Sequence, residues 1–403
     1  MSSINASFIE NPYPQYTVWR EQGRVVWSND FFGGAWLVTH HADVEQLLRD
    51  TRFSSQRTGG WVNGVQDAQA DTALTQRAFQ RFFARAFLFL DAPDHPRLRQ
   101  VLMPAFRPAQ LAKIQGDIAR WSLELVQQLP SQFDFMQAIA RPLPALVIGH
   151  LMGIAPGMDP SFTRWAQGLA AFIGAAQPTA RQLALAQQCL LEMVEYFERE
   201  LLPAHAQLPE QGGDMVHDLV RAAKEGRIQN RTELLAQTAM LLFAGYETTR
   251  NLLGNGMLAF MQHRDQWELL CQQPELAVPA VRELLRYDSP VQWTGRRASV
   301  DMVLHGQPIQ RGDLLIALIG AANHDPQRYD QPTDLQLQRG QIGALSFGSG
   351  AHVCIGAGLT QMETQAMLAT LARTCPHLQL AGTPVRDGNP VYRGLLSLPM
   401  TLS

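Results

Sequence analysis

Cys354 stands in the run Phe347-Gly-Ser-Gly350-Ala-His352-Val-Cys354-Ile-Gly356, a lone thiol on a glycine-rich loop just before a helical stretch at 357–373. These types and spacings suit a thiolate metal ligand. Gly348, Gly350 and Gly356 let the backbone approach a flat cofactor and take up conformations closed to other residues. Amides of the loop and helix start point at the sulfur and, together with a metal, lower its pKa. Phe347 supplies an apolar lid. No Cys or His stands at zinc spacing, so one thiolate suggests a haem iron with a single protein ligand. A buried structural cysteine beside a turn is the competing reading, and the commoner one for an isolated Cys. The Phe, glycines and His at fixed offsets weigh against it.

Three further constellations could serve such a site. Ala244-Gly245-Tyr246-Glu247-Thr248-Thr249 lies mid-way along an apolar helix expected over 232–261. A carboxylate there is costly to desolvate, and Gly245 weakens the helix by about 1 kcal/mol, so both need a reason. One reason is room for a ligand or cofactor against the backbone. Thr248 can bond back to the carbonyl of Ala244 and locally open the ladder for water or dioxygen. A solvent-facing Glu-Thr pair with an incidental glycine would look the same. Glu283-Leu-Leu-Arg286 places opposite charges on one helix face, a common surface pattern when met alone. Asp94-His95-Pro96-Arg97-Leu-Arg99 reads as a helix start with His95 and Arg99 on one face, which favours an anion between them. Arg296 and His352 add two basic groups, although each could also be a solvated surface side chain.

The elements that must position these groups are mostly helical. Helices are expected over 12–22 and 42–50, repeatedly between 94 and 270 with breaks at Pro130, 156–160, Pro178 and 212–213, then over 274–287 and 357–373. Short β-type runs fall at 24–28, 35–39, 291–294, 302–309, 313–319, 377–381 and 391–400. Residues 51–90 suggest a long functional loop, and 325–344 is proline-punctuated and irregular. The expected class is mainly α with a minor β region. At 403 residues the chain exceeds the length at which one core usually stops growing, so two lobes are expected. A net charge of −3 without basic runs gives no indication of nucleic acid or an anionic membrane as partner. Four scattered cysteines fit a reducing compartment, and neither a signal core nor an apolar run of ~18 residues is visible, so a cytoplasmic protein is expected. Two glycine runs, at 348–353 and 356–361, lack the third glycine of a dinucleotide fingerprint.

Taken together, the motifs resemble those of the cytochrome P-450 family. The cysteine run is similar to Phe-x-x-Gly-x-His/Arg-x-Cys-x-Gly, the helix run to Ala/Gly-Gly-x-Asp/Glu-Thr, and Glu283–Arg286 to the family's Glu-x-x-Arg, in the same order. The resemblance implies one haem domain over 1–403. Residues of about 11–90, 290–320 and 377–400 would form a β-containing lobe, and about 94–287 and 345–375 a larger helical lobe. It implies haem b ligated by Cys354, with Phe347, Gly348, Gly356, Ala244 and Gly245 against it. His95, Arg99, Arg296 and His352 would meet the propionates. Glu247 would relay protons and Thr248 would hold dioxygen and its water. Glu283 and Arg286, joined by Arg339, would lock the cysteine loop. One departure is Leu359-Thr360-Gln361-Met362-Glu363, where many relatives have Leu-Ala-Arg-x-Glu, which bears on electron-partner docking.

The activity so implied is insertion of one atom of dioxygen into an organic substrate, by hydroxylation or epoxidation. Nothing resembles a flavin or nicotinamide module, so electrons are expected from a ferredoxin or flavodoxin with its reductase. The pocket is expected to be lined by Trp61, Val62 and Val65, by Leu241 and Ala244, and by Val291, Gln292 and Trp293, with Leu395 and Leu396 closing it. Such a lining suits a hydrophobic small-to-medium molecule. A role in secondary metabolism, with a substrate on a carrier protein, is a family prior. A peroxide-driven peroxygenase and a non-catalytic haem carrier or sensor are the alternatives.

Overall fold

A computed structural model describes residues 2–57, 82–154, 157–207 and 213–402. Trp61, Val62 and Val65 lie outside the described residues.

The element that organises the rest is the helix Arg231–Gln262. It is apolar on every face, which in a globular protein means burial all round. Its start is fixed by Asn230, whose side chain accepts from the amide of Glu233, and by Arg97, which donates to Glu233 at 2.7 Å. Helices Pro142–Leu151, Asp159–Ile173 and Ala277–Tyr287 pack around it. Three of its glycines exist for this packing. A Cβ on Gly245 would stand 2.7 Å from Ile148, on Gly254 2.5 Å from Met136, and on Gly256 2.9 Å from Leu284. A helix crossing is therefore enough to require glycine at 245.

Among the described residues the largest of four sheets has five strands, in the order Val25–Ser28, Ala35–Val38, Leu314–Ala317, Thr294–Ala298, Phe53–Ser54. The Ala35–Val38/Leu314–Ala317 pair is parallel and the others antiparallel. Arg296 pairs with Leu315 in this sheet, so the strand runs later than the expected 291–294. Strand Gln132–Asp134, which pairs with Pro399–Thr401, follows Pro130 where only a break was expected. Three residues flanked by long helices leave too short a period-2 pattern to read.

The irregular stretch is tied down by buried polar groups. Asp325 accepts from the amide of His41 at 2.8 Å, and His41 donates to the carbonyl of Gly343 at 2.8 Å. His324 stacks on Tyr13 with ring centroids 4.1 Å apart and donates to the carbonyl of Tyr287 at 2.7 Å. Burial, then Arg286, presses its pKa down from 6.5 to about 3. The unfolded chain therefore takes up this proton first, and stability falls as pH drops from 6.5 towards 3 while remaining whole above that window. The slope is about 1.4 kcal/mol per pH unit for this one group. His324→Leu is expected to flatten that part of the acid limb in denaturant titrations run as a pH series.

Candidate active site

The cysteine loop is a tight closure of its own backbone. The amide of Cys354 donates to the carbonyl of Phe347 at 2.8 Å and that of Gly348 to Leu345 at 2.8 Å. Gly350 has φ +73°, and a Cβ there would lie 2.9 Å from the backbone of Arg49 and 3.0 Å from the carbonyl of Leu48. Only glycine satisfies both demands. Arg99 reaches across to donate to the carbonyls of Ala351 at 3.1 Å and Val353 at 2.9 Å. It thus braces the loop that carries Cys354.

That cavity, of about 290 Å³, has Cys354, Phe347, Gly348 and Gly356 on one wall and Ala244, Gly245 and Thr248 of the central helix on another. The exposed surface of Cys354 therefore belongs to an internal space. Burial pushes its thiol up, while the amides of Gly356 and Ala357 and the charge of Arg99 pull the other way more weakly. The loop amides do not make a thiolate unaided; a cation at the sulfur would.

At one edge of the cavity, basic groups crowd together. Arg57, Arg296 and His352 line it, and His95 sits one layer behind, its ring 4.0 Å from His352 and 4.5 Å from Phe87. Burial, then the facing arginine, lowers Arg57 to about 9. Burial lowers Arg296 to about 10. Burial and then Arg296, His95, Arg57 and Arg99 press His352 to about 3. His95 is lowered too, by burial first, and its Nε2 is buried without a partner. Cations shifted towards neutrality by burial first, and some of them also by one another, are what an anion placed among them would reverse. A flat cofactor bearing two carboxylates, with a cation opposite Cys354, fits this donor set. Arg57 was missed in the sequence: it follows a two-residue strand in an unpatterned segment, and nothing local marks it.

The acid and the alcohol of the central helix part company. Thr248 faces the cavity and donates to the carbonyl of Ala244 at 3.0 Å. The helix nonetheless runs uninterrupted through 244–248, so the expected opening of the ladder is not present. Glu247, one residue earlier and about 100° round the helix, is buried on the other side. It accepts from Arg250 at 2.6 Å and Asn251 at 3.3 Å. Arg250 also reaches Asp387 at 3.4 Å.

The lock closes as its spacing suggests. Arg286 donates twice to Glu283, at 2.8 Å each, and to the carbonyls of Asn323 at 3.1 Å, Pro332 at 2.6 Å and Asp334 at 2.8 Å. Arg339 donates to Glu283 at 3.1 Å and to the carbonyls of Asp330, Gln331 and Asp334. Asn323 carries the arrangement to the cysteine loop, accepting from the amide of Leu345 at 2.8 Å and donating to Ser346 at 2.9 Å.

Of the expected pocket, Leu241, Ala244, Val291 and Trp293 do line the cavity. Gln292 does not: its amide is turned away, accepting from Tyr16 at 2.8 Å and donating to the carbonyl of Ser289 at 2.8 Å. Alternation along an extended run sends neighbours to opposite faces. Leu395 is buried against the central helix near Gly254, and Leu396 faces a different cleft. Val391 and Tyr392 line the cavity from the C-terminal segment instead.

With this geometry in view, known proteins place the chain. The family model described as Cytochrome P450 matches residues 270–399. The polyketide-biosynthesis cytochrome P-450 PksS of Bacillus subtilis (strain 168) is 33% identical over 375 residues, 92% of this chain and 89% of the relative. The crystal structure of CalO2 superposes with a TM-score of 0.89 at 29% identity, covering 100% of this chain and 98% of that one. P450BioI, solved with an acyl carrier protein ligated to hexadec-9Z-enoic acid, gives 0.89 at 28%, covering 99% and 100%. The chain belongs to the cytochrome P-450 family. It is a member of a monooxygenase family whose fold it shares and whose haem use implies thiolate ligation. No helix among the described residues is long and apolar enough to cross a membrane.

Proposed function

We propose that the whole chain, 1–403, is one haem domain that ligates haem b through Cys354. It would insert one atom of dioxygen into a hydrophobic small-to-medium organic substrate. The observation that carries this is the cavity held between Cys354 and Thr248 with cationic groups collected at one edge. Arg57, Arg296 and His352, with His95 behind, would meet the propionates, and Arg99 would hold the loop that presents the sulfur. The bound haem supplies dioxygen activation, tuned by the electron density of the thiolate. Thr248 holds water against the central helix on the cavity side. Glu247 passes protons to it from the other side. The apolar walls exclude bulk water and orient a carbon of the substrate.

Electrons would come from a ferredoxin or flavodoxin with its reductase, in the cytoplasm. A carrier-bound acyl chain is the substrate form supported by the acyl-carrier complex of P450BioI and by the polyketide assignment of PksS. Such a role belongs to biosynthesis of a secondary metabolite. The test is an optical titration of haem-loaded protein with free fatty acids, aromatic compounds and their carrier thioesters. A low-to-high-spin Soret shift with at least one hydrophobic class is expected; no shift with any apolar ligand would count against this pocket.

Arg296→Leu is expected to speed haem dissociation about ten- to a hundredfold, one charge-assisted hydrogen bond being worth about 1.5–3 kcal/mol. Haem transfer to apomyoglobin would measure it. An unchanged rate would remove Arg296 from the propionate site.

A further inference from the structure

Across the central helix from the haem cavity lies a second cleft, of about 670 Å³. Ser2, Gln177, Gly388 and Leu396 on its walls are exposed, whereas Glu247 and Arg250 at its floor are buried. Asp387 lines the same cleft. One guanidinium nitrogen of Arg250 serves both carboxylates, Glu247 at 2.6 Å and Asp387 at 3.4 Å. The other oxygen of Glu247 and the Nε and Nη1 of Arg250 are buried without a protein partner. Orphaned polar atoms beside a polar cleft of this size are satisfied by water.

Asp387 is held there by its own hairpin. Its Oδ1 accepts from the amide of Asn389 at 2.9 Å, and its amide donates to the carbonyl of Gly394 at 3.3 Å. Gly394 keeps the approach open: a Cβ would lie 2.1 Å from Asn251 and 2.9 Å from the Asp387 carboxylate. The charged groups facing Asp387 are Arg250 and Glu247 from the central helix and Arg386 from its own strand, with Asp30 on the same cleft. Burial pushes its carboxyl up to about 6, against the pull of the Asn389 amide and Arg250.

We propose that Asp387 loads Glu247 with protons drawn from this cleft, so that protons reach Thr248 from behind the central helix and not through the substrate cavity. In the transfer a hydronium protonates Asp387. The Asp387 O–H bond then breaks as the Glu247 O–H bond forms, directly or through one bridging water, and no electron moves. Arg250 positions both carboxylates. This rests on the reading of Glu247 as the relay to Thr248.

The test compares Asp387→Asn and Glu247→Gln with the parent holoenzyme, driven by a surrogate ferredoxin and its reductase. Infrared titration of the substrate-free protein should show a carboxyl band with a midpoint near pH 6, absent from Asp387→Asn. In the parent, product formed per NADPH should fall as pH rises above that midpoint. In Asp387→Asn it should be lower by about tenfold, flat with pH, and carry a larger solvent isotope effect; water in the cleft keeps the loss below the roughly hundredfold or more usual for general-acid effects. If Glu247→Gln uncouples while Asp387→Asn keeps the parental pH profile, or the band survives the substitution, Asp387 is not the loading group and the relay through Glu247 stands. If neither variant changes coupling, the relay itself falls.

Discussion

Arg286→Ala is expected to lose about 3–5 kcal/mol of stability and most of its haem, because it breaks a buried pair and leaves the partner charge uncompensated. Arg286 is 2% exposed and makes five hydrogen bonds, two to Glu283 and three to the backbone carbonyls of Asn323, Pro332 and Asp334. Its removal leaves Glu283, itself buried, with Arg339 as its remaining cation. Three carbonyls lose a donor at once. One belongs to Asn323, whose side chain sets the backbone of Leu345 and the hydroxyl of Ser346 at the entry to the cysteine loop. Ser346 in turn donates to the carbonyl of Leu285, on the lock's own helix. The damage thus reaches Cys354 through three hydrogen-bonded groups. Arg286→Lys should recover only part, since an ammonium cannot reproduce the planar fork. Denaturant midpoints and the haem-to-protein ratio measure both effects. Full haem content with a stability within about 1 kcal/mol of the parent would remove the lock from this account.

Thr248→Ala is expected to fold and bind haem normally while losing coupled product formation by about ten- to a hundredfold. Among the described residues the hydroxyl bonds only to the Ala244 carbonyl, one turn back on its own helix. Removing it therefore leaves no new buried donor, and the i−4 bond it loses is one that slightly weakens helices. What disappears is the polar atom of the central helix that faces the cavity opposite Cys354. Electrons should still be consumed, but appear as hydrogen peroxide or water. The measurement is product against NADPH oxidised, with peroxide counted in parallel. Unchanged coupling would remove Thr248 from proton delivery and reopen the non-catalytic haem-binding alternative.

What could be read in the sequence was whatever depends on short spacing. The central helix, the cysteine-loop helix and the Glu283–Arg286 pair are local patterns, and each is present with bounds within one or two residues, the onset at Pro274 apart, where a short turn precedes the helix Ala277–Tyr287. What escaped depends on elements distant in the chain. The purpose of Gly245 is visible only once Ile148 lies against it. The direction of Glu247 follows from Arg250 and from Asp387, which is brought beneath the helix by the C-terminal hairpin. Gln292 stands between two lining residues, yet is drawn off by Tyr16, from the opposite end of the chain. Arg57 reaches the cavity edge for the same reason, with nothing near it in sequence to announce it. A helical face told where Arg99 starts, but not that the carbonyls of Ala351 and Val353 would capture it.

The central claim is that Cys354 is the thiolate ligand of a haem, and the carbon monoxide complex of the freshly reduced, active protein tests it most directly. Thiolate ligation predicts the strongly red-shifted Soret band of this class. A band at the position typical of histidine ligation would contradict it.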